Sequence, residues 1–210
     1  PIIAFSDMLL ENQNINDEEE RKGILKLINT SAKNTFKLLE NLLTWSSLQT
    51  GKINYLPEKQ HLKLLLFEVF TELQGQAKNK NIQLVDTTSE NDLIYADANM
   101  TKTVLRNLIS NAIKFTNQEG SITLASKKRN NGNLEISVRD TGVGMPADII
   151  DKLFNITENT STDGTENEKG TGLGLILCEE FVTNQGGKIW VESELGEGST
   201  FKVQLPIDKK

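Results

Sequence analysis

The spacing of apolar residues changes character once along this chain, and that change limits the folds open to it. Up to Trp45 they recur at intervals of three and four; beyond Pro57 such stretches alternate with short runs of every-second-residue type. The first pattern belongs to helices with one apolar stripe, the second to strands interleaved with helices. Ile2, Phe5 and Leu9 predict a short opening helix. Asn12-Gln-Asn-Ile-Asn16 interrupts it with turn-forming residues, and Asp17 then opens a longer helix with Glu18, Glu19 and Glu20 at its positive dipole end. Leu25, Ile28, Ala32, Phe36, Leu39 and Leu43 make its stripe, which Ile24, Leu27, Leu38, Leu42 and Trp45 widen beyond what one short partner helix covers. A second copy pairing into a four-helix bundle would bury the surplus, and so would packing against the rest of the chain.

Gln49-Thr-Gly-Lys52 and Pro57 end this element. Helices are then expected over Leu62–Lys78, Thr101–Phe115, Ala147–Phe154 and Leu173–Asn184. Strands are expected at Ile82–Val85, Leu93–Tyr95, Ser121–Lys127, Leu134–Arg139, Lys188–Glu192 and Thr200–Leu205. Asn130-Asn-Gly-Asn133 reads as a hairpin turn. A polar loop of about fifteen residues, 155–169, is bracketed by glycine motifs, which favours a functional lid. The class is therefore α+β behind a helical hairpin.

Composition removes several functions. A single cysteine, Cys178, cannot form an intrachain disulfide, and with a single histidine, His61, no Cys/His zinc site can be built from this chain alone. Net charge of −6 argues against a nucleic-acid coat. No apolar run approaches the roughly 20 residues of a membrane span. A soluble chain of a reducing compartment is expected.

Four segments carry chemistry. In Asn107–Thr116, on a helix, Asn107, Asn111 and Lys114 share one face; amide oxygens suit a hard cation and the ammonium a phosphate. An ordinary amphipathic helix would show the same face. In Asp140-Thr-Gly-Val-Gly-Met145, after a strand, glycines let the backbone approach a flat ligand. Asp140 could there accept from an exocyclic amino group, favouring adenine over guanine. A capped glycine turn is the plain alternative. Lys169–Leu175 places glycines at a helix start, where backbone N–H groups face a phosphate; it matches neither a dinucleotide fingerprint nor a P-loop. Gly196-Glu-Gly-Ser-Thr-Phe201 runs glycines into the last strand.

In this order, about thirty residues apart, the four segments resemble the catalytic ATP-binding domain of two-component sensor histidine kinases. The resemblance covers about residues 57–208, and residues 1–52 resemble the second part of that family's dimerisation and phosphotransfer hairpin. It implies a two-layer α/β sandwich of the Bergerat type, with ATP and Mg2+ as cofactors. Asn111 matches the magnesium-coordinating Asn, Asn107 the Asn before it, Lys114 the basic residue reaching toward the phosphates and Phe115 the aromatic beside the base. Asp140 matches the adenine-reading Asp, and Gly142 and Gly144 the pocket floor. Phe154 matches the box at the lid's base. Gly170, Gly172 and Gly174 match the hinge and phosphate glycines, with Lys169, Thr171 and Leu173 among them; Thr200 lies in the strand beneath the adenine. For Met145, Phe154 and Thr200 a packing role fits as well as ligand contact. Implied partners are a response-regulator receiver domain and a second copy joined through the hairpin, in the cytoplasm, with the parent protein free or anchored in the inner membrane. A non-catalytic module of the same fold, or a hydrolase of the wider superfamily, is the alternative; such hydrolases carry a Glu base where Asn107 stands, and an amide cannot take a proton from water.

The lid holds Glu158, Asp163, Glu166 and Glu168 and no Lys or Arg between Asn155 and Glu168, so Lys114, Lys169 and magnesium are expected to neutralise phosphate, with the acids facing solvent. Asn155-Ile-Thr157 and Asn159-Thr-Ser161 fit a glycosylation pattern by chance. Pro1–Phe5 resembles the stretch just after the family's phosphoacceptor box, so that histidine is expected upstream of Pro1. His61 is expected to be a half-buried or capping imidazole with no catalytic role.

Overall fold

The computed structural model describes residues 2–11, 18–50, 54–155, 163–166, 168 and 172–209. The chain divides into two units, Pro1–Gln49 and Thr50–Lys210. In the first, α1 (Ile2–Glu11) packs on α2 (Glu18–Gln49), whose first turn holds three glutamates at the positive end of the helix dipole. Asp17, the expected cap, lies outside the described residues. Ile24 is buried on α2, while Leu25, Phe36, Leu39 and Leu43 are at least half exposed.

The second unit is an antiparallel pair, β1 (Glu58–His61) with β3 (Leu93–Ala96), beside a five-stranded sheet. The sheet runs β2 (Gln83–Asp86), β4 (Ser121–Lys128), β5 (Asn133–Asp140), β7 (Gly198–Pro206), β6 (Lys188–Glu194). Only β2–β4 is parallel. Strand alternation sorts its two faces. Leu134, Ile136 and Val138 pair with Leu205, Val203 and Phe201, and all six are buried. Glu135, Ser137 and Arg139 pair with Gln204, Lys202 and Thr200 on the other face.

The apolar face is covered by α3 (Leu62–Asn79), α4 (Ala98–Phe115) and α6 (Gly174–Asn184), through Leu66, Val69, Leu105, Leu108, Ile109 and Phe181. Each such side chain, fully buried, contributes about 1.5–3 kcal/mol. The result is the expected two-layer α/β sandwich.

Four local expectations are revised. α4 begins before Thr101 because Asp97 Oδ1 accepts from Asn99 N–H (2.9 Å) and Met100 N–H (3.0 Å), capping it at Ala98. The helix read over 147–154 is a single turn, α5 (Ala147–Ile150); bonds of the tighter three-residue type, Lys152 N–H to Ile149 and Leu153 N–H to Ile150, then replace it. β1 was not anticipated, since Glu-Lys-Gln-His has no apolar alternation; it forms because β3 offers it a register, Glu58 to Ala96 through His61 to Leu93. His61 therefore ends a strand, is exposed, and makes no capping side-chain bond; Asp92 O satisfies the Leu62 N–H instead (3.0 Å).

Candidate functional site

The site gathers at the C-terminal half of α4. Leu105, Leu108, Ile109 and Ala112 turn to the core, which leaves Asn107, Asn111, Lys114 and Phe115 half-exposed on the opposite side. Asn107 Nδ2 donates to Thr103 O (3.0 Å), and a Cβ on Gly174 would stand 3.0 Å from Asn107 Oδ1, so the first residue of α6 lies against this side chain. Behind it Cys178 is fully buried; burial pushes its thiol up to about 12, against an opposing hydrogen bond with Asn107, which makes it an inert core thiol. The Asn111 carboxamide has no hydrogen-bond partner among the described residues. Lys114 Nζ lies 4.5 Å from the Phe115 ring centroid. Burial holds its ammonium below the usual lysine range, against the raising influence of Glu168 and Asp163.

Asp140, at the end of β5, is 3% exposed. Its Oδ1 accepts from Gly142 N–H (2.9 Å) and Ser199 N–H (3.2 Å), while no donor among the described residues reaches Oδ2. Burial pushes its pKa up, and those two backbone bonds only partly offset the effect. The carboxyl group is thus oriented by one oxygen and offers the other.

Close approach explains two glycines. A Cβ on Gly142 would overlap Phe115 O, and the next residue's N–H, on Val143, donates to that same oxygen (3.1 Å). Only glycine lets the loop lie across the end of α4, which puts Asp140 beside Phe115. Gly198 has φ +92° and a Cβ there would overlap Asp140 O, so the β6–β7 turn can close on Asp140 only as glycine. Gly144 sits against Glu194 in the same loop, and Gly196 N–H donates to Val143 O (2.8 Å). Met145 N–H donates to Ser193 Oγ (2.9 Å), which in turn is 2.8 Å from Gly198 O and 2.9 Å from Ser199 Oγ.

Of the residues expected at the site, the structure brings together Asn107, Asn111, Lys114, Phe115, Asp140, Gly142, Gly144 and Gly174. Gly172 and Leu173 lead into α6, whose N-cap residue, Leu173, makes no side-chain capping bond. Lys169, Gly170 and Thr171 lie outside the described residues. Thr200 is not brought in: it pairs with Arg139 on the sheet face turned away from the helices. The neighbouring Ser199 reaches Asp140 instead. Ser199 does so through its backbone N–H, and the signal that could have found it is that Ser199 follows a glycine and stands two places before a core Phe201, on the same side of the strand. The lid acids also differ from expectation: Glu168 pairs with Lys80 Nζ at 2.6 Å rather than facing solvent, and Glu158 lies outside the described residues.

Comparison with known proteins assigns the fold and the family. A family model described as histidine kinase-, DNA gyrase B-, and HSP90-like ATPase matches residues 96–209. The adaptive-response sensory kinase SasA of Synechococcus elongatus is 33% identical over 196 residues, covering 90% of this chain and 49% of the relative. The circadian input-output histidine kinase CikA of the same organism is 32% identical, covering 90% of this chain and 25% of CikA. The chain therefore spans about half or less of these curated relatives. The nucleotide-free catalytic domain of histidine kinase ThkA superposes with TM-score 0.63 at 29% identity, covering 74% of this chain and 97% of that one. Full-length ShkA, solved with AMPPNP, gives TM-score 0.74 at 26% identity, covering 98% and 42%. ThkA in complex with the response regulator TrrA shares the fold, with TM-score 0.77 at 22% identity, covering 99% and 58%. The chain belongs to the histidine kinase-, DNA gyrase B- and HSP90-like ATPase family and carries the ATP-binding catalytic domain of a sensor histidine kinase.

Proposed function

We infer that this site holds Mg–ATP and presents its γ-phosphoryl group to a histidine side chain, for onward relay to a response-regulator aspartate. The observation that carries the reading is the convergence at one helix end of an unengaged amide (Asn111), a half-buried cation (Lys114) and an oriented buried carboxyl group (Asp140). Asp140 Oδ2 would accept from the adenine amino group while Phe115 flanks the base. Lys114 and the first amides of α6 would take the phosphates, with Lys169, Gly170 and Thr171 assigned beside them by their motif. Among the described residues no group of three or more His, Cys, Asp or Glu side chains could hold a metal ion. That suits magnesium, which arrives with phosphate and water ligands and takes one or two from protein; here Asn111 would supply one. When bound, the cation neutralises charge on the transferring phosphate. The protein's task is placement: two fixed ends of one nucleotide, held by Asp140 and by the Asn111–Lys114 face, leave the γ-phosphoryl free to meet a nucleophile. Asn107 at the place of a hydrolase's Glu favours transfer over attack by water.

The phosphoacceptor is assigned to a histidine other than His61, which is exposed on β1. The uncovered stripe on α2 supports a second copy as its partner, and a receiver domain is the proposed recipient of the phosphoryl group. No helix among the described residues is long and apolar enough to cross a membrane. Titration of the 210-residue chain with Mg–ATP in a calorimeter tests the reading: binding is expected, and Asn111→Ala should remove its magnesium dependence. Unchanged affinity in that variant would refute the metal assignment, and acid-labile label on His61 after incubation with γ-labelled ATP would refute the assignment of the acceptor.

A further inference from the structure

A buried cation outside the expected motifs closes the same helix end. Lys80, 3% exposed, stands just past the end of α3, where its backbone N–H caps that helix through Ala77 O and Lys78 O. Its side chain runs to the C-terminus of α4. Nζ lies 3.1 Å from both Ile113 O and Lys114 O, 2.8 Å from Thr165 Oγ1 and 2.6 Å from Glu168 Oε1. An ammonium has three protons and no acceptor, so these four oxygens saturate it. Two of them are helix-end carbonyls that have no partner within the helix and lie at the negative end of its dipole.

The other two belong to residues 163–166 and 168 of the expected lid, which are stitched to the same place. Thr165 N–H donates to Lys114 O (3.1 Å), and Thr165 Oγ1 lies 3.0 Å from Thr116 O. Glu166 N–H donates to Glu168 Oε2 (2.8 Å), Gly164 N–H to Glu168 O (3.0 Å), and Gln118 Nε2 to Glu166 Oε1 (3.1 Å). A Cβ on Gly164 would clash with the Lys114 side chain, so the segment lies directly on a residue of the proposed phosphate face. Burial pushes the Glu168 carboxyl up, but the bonds from Lys80 and Glu166 N–H outweigh it and hold it below its usual range.

We propose that Lys80 is a positioning residue for the nucleotide site: it joins the last carbonyls of α4 to Thr165 and Glu168, so that one ion pair, buried at its lysine end, sets both the end of the helix bearing Asn111 and Lys114 and the docking of Thr165 and Glu168. It touches neither nucleotide nor metal. The role rests on the nucleotide reading above and adds to it the link between that helix and the lid. Lys80→Met removes the cation at similar volume, and Glu168→Gln, at a part-exposed position, removes only the partner's charge.

The test is amide exchange and Mg–ATP titration on the full chain and on Lys80→Met, Glu168→Gln and the double variant. The amides of Thr165 and Glu166 should exchange at least about tenfold faster in each variant while those of β5 and β7 keep their rates, and affinity should fall about tenfold. The double variant should lose no more than Lys80→Met alone, because both act through one pair. Unchanged affinity in Glu168→Gln beside normal binding by the unaltered chain would overturn the positioning role alone, as would losses that simply add. Absence of Mg–ATP binding by the unaltered chain would overturn the nucleotide reading itself, and this role with it.

Discussion

Asp140→Asn alters a single group at constant volume, and the structure says which way the new amide must point. Oδ1 accepts from Gly142 N–H at 2.9 Å and from Ser199 N–H at 3.2 Å, so an amide nitrogen there would face two donors. The asparagine oxygen therefore keeps that place, and Nδ2 takes the position of Oδ2. On the proposed reading, an acceptor for the adenine amino group becomes a donor opposed to it. One buried donor left unmet costs about 1–3 kcal/mol, or about 5- to 150-fold in affinity for ATP. GTP, which presents a carbonyl oxygen at that position, should lose less or gain.

Stability should move differently. Burial raises the Asp140 pKa, so its favourable contribution is present below the unfolded pKa and lost as pH rises through the folded one. At neutral pH the ionised group opposes folding, and asparagine removes that opposition. Calorimetric titration with Mg–ATP and Mg–GTP, beside thermal unfolding, reads both effects. Equal ATP affinity in the variant would refute base reading by Asp140, and a lowered midpoint of unfolding would refute the orientation argument.

Two further outcomes rest on the same geometry. Gly198→Ala should destabilise the catalytic unit by about 2–4 kcal/mol in chemical denaturation, because φ +92° is strained for alanine and its Cβ would displace Asp140 O. ATP affinity should fall on acidification with a midpoint above the ordinary aspartate range, because the protonated Asp140 no longer offers a free acceptor; a titration series in pH should show that step, and Asp140→Asn should abolish it.

The motifs were readable along the chain because each is a local requirement. A glycine is needed where backbones touch, an Asp where a strand ends at a ligand, amides at four-residue spacing where a helix shows one face. The strands with apolar alternation, β4, β5 and β7, were readable for the same reason. β1 was not, because Glu58–His61 owes its conformation to the edge of β3 and not to its own side chains. α5 stopped after one turn where local propensity would have carried it further. Thr200 and Ser199 differ by one place in sequence and their side chains by a whole sheet face; the register and the turn at Gly198 decide that the Ser199 backbone N–H meets Asp140. Lys80 carried no signal at all. A lysine between Asn79 and Asn81 reads as a solvated turn, and its burial depends on the ends of α3, α4 and the lid segment arriving at one point.

By itself the sequence determined the class of the molecule: a helical hairpin, then an α/β layer pair with four ordered nucleotide motifs, since periodicity and glycine spacing are properties of neighbouring residues. Only the tertiary structure decided which atoms face the site. It turned Asp140 so that one oxygen is held and the other is free, exchanged Thr200 for Ser199, and drew Glu168 from solvent to a buried lysine more than eighty positions away in the chain. Those outcomes depend on strand register and on where helix ends meet, and both are set by contacts between segments that are distant in the chain.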